Sequence, residues 1–190
     1  MAGLGVLRCA TREVLAVRWR DLDPDNRKLS VRRSVGLIRV KGEGYTIQEG
    51  PTKTGQQRVI DLDRRTVEVL RHYRAVRAGL DLRLARDDAL IFGDHEGRHQ
   101  HPERFSRRFS EAVARCRRQL SDDAPPMIRV HDLRHGWATM ALRAKIHPKV
   151  VQEQLGHSNI SVTLNTYSHV QAGMGEDAAE KVAAIAWGES

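Results

Sequence analysis

The sequence predicts a mainly α-helical domain carrying a small antiparallel β-sheet, an α+β arrangement. Three observations predict it. Apolar residues recur at helical spacing through most of the chain beyond Leu62. Between Lys28 and Leu62 the pattern changes to period two and is rich in β-branched residues. Clusters of glycine, proline and aspartate fall between these stretches, where the chain must turn.

In chain order, Val14, Leu15, Val17 and Trp19 follow Glu13 with mixed helical spacing and predict a first helix. Asp21-Leu22-Asp23-Pro24-Asp25-Asn26 breaks it. The three aspartates resemble the start of a calcium loop, but Asn26 replaces the required glycine and Arg32 the bidentate glutamate, so a solvated turn is the reading. Leu29 to Val35, continued by Leu37 to Val40, reads as one strand, and Tyr45 to Ile47 and Arg58 to Leu62 as two more, in an antiparallel sheet of about three strands. Gly50-Pro51-Thr52-Lys53-Thr54-Gly55 is a tight connection with a single lysine at its tip. A sheet this small needs helices packed against it.

A long helix follows, with Val67, Leu70, Tyr73, Val76 and Leu80 expected on its buried face. Ala89 to Phe92 is a short apolar run. It leads into a polar loop, where His95, His99 and His101 read as surface residues. Pro102 suits the first position of the next helix. Phe105, Phe109, Val113 and Cys116 form that helix's apolar stripe, and Arg104, Arg107 and Arg108 belong to a strongly basic face suited to phosphates. Leu133, Trp137, Met140 and Ala144 are expected to be buried on the following helix. Pro148 restarts the chain, Val150, Val151 and Leu155 line another helix, and Gly156 ends it. A short helix is expected from Ser161, carrying Tyr167, and the tail from Gly173 presents Ala178, Val182, Ile185 and Trp187 at helical spacing.

The 190 residues, 40% hydrophobic and 29% charged, suit one globular domain with a real core. The formal net charge of +8 raises the expectation of a polyanionic partner, most often nucleic acid. No run approaches the ~18 apolar residues of a membrane span. Cys9 and Cys116 have neither metal-ligand nor disulfide spacing, so a reducing, cytoplasmic compartment fits.

The chemistry gathers around His131-Asp132-Leu133-Arg134-His135. His131 and Arg134, three apart on a helix, project from one face and can converge on one ligand. Arginine grips phosphate oxygens in a bidentate way. His157 lies 23 positions beyond Arg134, directly after Gly156, and Tyr167 lies 10 further on. A tyrosine is a poor nucleophile near neutrality, because its phenol titrates at ~10. Clustered cations would stabilise the charge that develops on phosphate and phenoxide. A competing pattern is the metalloprotease helix, since His131 and His135 are four apart. However, Asp132 stands where that motif has glutamate, and Arg134 would bring positive charge to the metal.

The set His131-Asp132-Leu133-Arg134-His135, Leu155-Gly156-His157-Ser158 and Thr166-Tyr167-Ser168-His169 resembles the signature of the tyrosine recombinase, or phage-type integrase, family. Upstream, Glu13 to Asp23 resembles the family's first helix and its exit. Pro51-Thr52-Lys53-Thr54-Gly55 resembles the hairpin that carries its lysine. The resemblance implies a catalytic domain over residues 1–172 and a helical tail over 173–190, shortened at its N-terminus and without the family's other DNA-binding domain. It implies Tyr167 as nucleophile on a DNA phosphodiester, Lys53 as general acid, and His131, Arg134 and His157 as the groups that bind and neutralise the phosphate oxygens. It implies no metal or other cofactor, double-stranded DNA as partner, and a tail that joins protomers on DNA or packs on its own domain. One departure stands out. The family has a catalytic arginine three residues before its glutamate, and an ungapped count from Glu13 lands on Ala10. Either Arg8, displaced by two residues, or nothing takes that place. The second option leaves a remnant that binds DNA without recombining it.

Overall fold

The computed structural model describes residues 9–42, 44–52, 55, 57–120, 124 and 126–156. Among the described residues, α1 (Thr11–Val14) is followed by a 3₁₀ turn at Trp19–Asp21, then by β1 (Leu22–Asp23), β2 (Lys28–Val31), β3 (Arg33–Val40), β4 (Gly44–Pro51) and β5 (Arg58–Asp61). The helices α2 (Arg64–Leu80), α3 (Pro102–Leu120), α4 (Val130–Arg143) and α5 (Pro148–Leu155) complete the order.

The α+β expectation holds, with two corrections in the first third. The opening helix is a single turn, after which Leu15 to Val17 run on as a buried irregular segment. Leu15, Ala16 and Val17 N–H still donate back to the carbonyls of Thr11, Glu13 and Val14, and the chain just beyond bonds across to the apolar run: Trp19 N–H donates to Ala89 O at 3.1 Å, and Ile91 N–H to Val17 O at 2.9 Å. A buried segment must satisfy its polar backbone, and here local turn bonds and a distant strand-like run share that task. The strands also form two sheets rather than one. The first has the order β1-β2-β5 and the second is the hairpin β3-β4, all antiparallel. The chain switches sheets at Arg32, since Val31 pairs with Arg58 while Arg33 pairs with Pro51.

The main core joins the first sheet to α2 through Trp19, Leu29, Val31, Ile60, Val67, Leu70 and Ile91. A second cluster joins Leu15 and Ala16 to Val35, with Ile47, Phe92 and Phe105 against it. A third holds α4 on α5 through Ala138, Ala141, Leu142, Val151 and Leu155, with Trp137 alongside. Two small alanines at i and i+3 let the helices approach closely. The α4 stripe is therefore rotated from the one expected: Met140 is half exposed and Ala144 is exposed. Val150 and Cys116 are likewise exposed.

The caps follow the sequence. Asp63 accepts from Thr66 N–H at 2.9 Å and starts α2. Pro102 is the first residue of α3, and Pro148 the first of α5 after the His147 cap. Asp21 is buried and accepts from Arg33 and from Arg18 N–H, so the aspartate run is a turn anchored by ion pairing. On α2 the buried face ends early. Val76 and Leu80 are exposed, whereas Arg77 is buried and donates to the carbonyls of Gly93 and Asp94 at 3.2 and 3.0 Å.

This division of α2 is directly measurable. Leu70→Ala should cost about 2–5 kcal/mol in urea unfolding, as a core truncation. Leu80→Ala should stay within about 0.5 kcal/mol, as a surface change.

Candidate active site

The signature stretch opens α4. Asp132, in the first turn, accepts from Arg129 N–H at 2.8 Å and from its guanidinium at 3.1 and 3.2 Å. The Arg129 bonds hold the Asp132 carboxyl below the usual carboxylate range. Asp132 is thus a helix cap and a partner for Arg129 rather than a base turned toward a ligand.

His131 and His135, one turn apart on the exposed side, place their Nε2 atoms 2.9 Å from each other with the rings edge to face. One nitrogen must carry the proton and the other the lone pair. That geometry is a hydrogen bond between two rings. Among the described residues, no group of three or more His, Cys, Asp or Glu is arranged to hold a metal. Burial, His135 and the nearby Arg134 charge, in that order, lower the His131 pKa below its ordinary value.

Arg134 lies on the inner side of α4. Its guanidinium donates to the carbonyl of Leu155, the last residue of α5, where helix carbonyls lack internal partners. Burial and Arg58 lower its pKa, while Glu13 works in the opposite direction. Beneath it, Arg58 on β5 donates Nη1 and Nη2 to the two Glu13 oxygens at 2.9 and 2.7 Å, a fork-on-fork pair. Burial pushes the Glu13 pKa up, but the Arg58 guanidinium outweighs it and holds the carboxyl below its usual range. Glu13 also accepts from Ala10 N–H at 2.8 Å.

Two guanidinium groups and one carboxylate therefore meet where α1, β5 and the α4–α5 pair converge. Arg58 and Glu13 were not among the residues singled out for chemistry in the sequence. One signal was present: Arg58 shares a strand face with Ile60, which is fully buried. An arginine on an inward face requires a buried counter-charge.

Ala10 caps α1 and is exposed, and its methyl group offers no donor. Next to it, Thr11, Ser106, Arg107, Ser110, Arg129, Val130 and His131 line a cleft of about 350 Å³. Arg107 faces this cleft from α3, and Arg104 and Arg108 are exposed on the same helix. His99 differs from its expected surface role: its Nδ1 lies 3.1 Å from Leu15 O and its Nε2 3.2 Å from Glu49, in a half-buried position. The structure thus sets Arg134 near Glu13 and Arg58, with His131 within reach of the Arg134 charge on the exposed side of α4. Lys53, His157, Tyr167, Arg8 and the tail lie outside the described residues.

The sequence matches the phage integrase family over residues 6–174. A probable integrase/recombinase of Methanocaldococcus jannaschii is 28% identical over 161 residues, covering 85% of this chain and 42% of the relative. The transposase from transposon Tn916 of Enterococcus faecalis is 30% identical over 156 residues, covering 78% of this chain and 36% of its own. The chain therefore spans less than half the length of these relatives. Among solved structures, the Tn1549 transposon integrase in complex with transposon right end DNA is similar with a TM-score of 0.74 and 26% identity, over 95% of this chain and 56% of that one. XerA recombinase is similar in fold, with a TM-score of 0.64, 18% identity, and coverage of 95% and 55%. With a match that runs through nearly all of its helices and strands, and with the His131–Arg134 stretch at the head of α4, this chain belongs to the phage integrase family.

Proposed function

We propose that this chain is the catalytic domain of a site-specific DNA recombinase. The observation that carries the reading is the half-buried Arg134, bonded to the end of α5 within reach of the Glu13, Arg58 and His131 side chains' charges. A rigidly held guanidinium next to an imidazole suits a phosphodiester whose oxygens gain charge in the transition state. The family match and its DNA-bound structural relative support double-stranded DNA as the substrate.

In this reading the Tyr167 oxygen attacks the scissile phosphorus. A 3′-phosphotyrosyl bond forms as the bond to the 5′ oxygen breaks, and Lys53 gives that oxygen its proton. His131, Arg134 and His157 hold the phosphate oxygens. The bond energy stays in the covalent intermediate, so the reverse attack by another 5′ hydroxyl rejoins strands without an outside energy source. Arg104, Arg107 and Arg108 track the flanking backbone. The tail from Gly173 carries the apolar spacing of an arm between protomers on DNA.

A second reading is a DNA-binding remnant without chemistry, and Ala10 favours it. If no other side chain supplies the family's first arginine, one preorganised donor is lost, which typically costs ~10²–10³ in rate.

Three outcomes are expected. Wild type should form a covalent adduct, resolved by denaturing gel, on a pool of nicked duplexes of randomised sequence, and Tyr167→Phe should form none. Absence of any wild-type adduct would leave the remnant reading standing. Arg107→Ala should weaken DNA binding and reduce the slope of log affinity against log salt by about 0.9, and an unchanged slope would remove Arg107 from the interface. Finally, the depressed His131 pKa means the folded chain binds a proton there less readily than the unfolded chain. Stability should therefore fall as pH drops through and below ~6.5. His135→Gln should make that fall shallower in thermal unfolding scans, since it removes one of the charges that disfavour protonation of His131.

A further inference from the structure

From β5, Arg58 touches two other elements, α1 and the end of α5. Both Glu13 oxygens hold its Nη atoms, and the two side chains are 15% and 12% exposed. The same guanidinium lies against Gly156. A Cβ built on Gly156 would stand 2.8 Å from Arg58 Cζ and 2.9 Å from its Nε and Nη1, closer than side chains approach. Arg58 Nε is itself buried, with no partner among the described residues. Gly156 has φ +66°, so it is the left-handed cap of α5 as well as the floor for this guanidinium. Arg134 reaches the neighbouring Leu155 carbonyl from α4.

Stability alone is a weak reason for this arrangement. Exchanging a buried ion pair for packed apolar groups is often neutral or favourable. An orphaned buried N–H adds a further cost. What the pair does provide is geometric: it sets how far the end of α5 can close on β5 and α1. Because Arg134 is bonded to that same end, its guanidinium moves with it.

Resting on the phosphate-grip reading of Arg134, we propose that Arg58 is a positioning residue for strand cleavage, pinned by Glu13 and laid against Gly156 so that the α5 terminus holds the Arg134 guanidinium in place. Arg58 does not contact the phosphate in this scheme. It acts through Leu155 and Gly156.

Two measurements test it, one without DNA. In isotope-labelled full-length chain, the Nε–Hε correlation of Arg134, assigned by its loss in Arg134→Lys, should shift in Arg58→Lys and in Gly156→Ala. The backbone amides of α2 should stay in place. An unmoved Arg134 signal in both variants overturns the proposal. In single-turnover cleavage of the nicked-duplex pool, Arg58→Lys should lower the rate about 10²-fold, the scale of a small misplacement of a reacting group. DNA affinity should stay within about twofold, and Arg58→Lys/Arg134→Lys should be no slower than Arg134→Lys alone, since both act on one group. Additive losses, or an unchanged rate, overturn it. If Arg58→Lys does not fold, Glu13→Leu/Arg58→Met replaces the pair with apolar groups and is read in the same two ways. Should wild type fail to cleave, the recombinase reading falls while the Arg134 signal still decides the role of Arg58.

Discussion

A carboxylate and a guanidinium buried together must meet in one geometry or not be buried at all. Taking each from water costs several kcal/mol, and only mutual contact with satisfied hydrogen bonds offsets it. In this molecule the Glu13–Arg58 pair imposes that condition on a very short helix and a four-residue strand. Neither element has the length to hold a position by itself. The ion pair fastens α1 to β5, the main core fastens β5 to α2, and the contact with Gly156 brings the α4–α5 pair onto the same strand.

The second helical layer depends on the first in a specific way. Ala138 and Ala141 let α5 approach α4, and Asp132 closes the N-terminus of α4 through Arg129. Arg134 then serves two ends at once. It completes the C-terminus of α5, and it brings positive charge to His131. A cation that also caps a helix is preorganised, since its orientation is set before any anion arrives. Among the described residues, Arg134 gives the site a donor that is already oriented.

Much of the fold was legible in the residues. Period two identified β2 and β5, and the glycine and proline signals placed the starts of α3 and α5 and the end of α5. The failures share one cause, which is that a partner far along the chain overrides local pattern. Arg32 divides a continuous β-branched run because Val31 and Arg33 pair with different strands. The helix stops at Val14, and from Val17 to Trp19 the chain bonds across to Ala89 and Ile91 instead. Val76 and Leu80 lie outside the core because Arg77, not an apolar neighbour, faces the Gly93 and Asp94 carbonyls. In the site, His131 and Arg134 were readable from their spacing. Arg58 was read as part of a strand, and its role depends on Glu13 lying 45 residues away. Met140 and Ala144 matched a helical stripe that is turned aside, because the side of α4 that packs is chosen by the small residues facing α5.

By itself, then, the sequence determined the class of the fold, the excess of positive charge, and the order in which His131, Arg134, His157 and Tyr167 follow one another. Those properties are local, set by residue type and by spacing along a helix. Tertiary structure decided which cations share a carboxylate, that His131 bonds His135, and that Gly156 lies beneath Arg58. The reason is electrostatic: whether a buried charge is tolerated depends on what stands within a few ångströms of it, and in this chain those neighbours come from opposite ends of the fold.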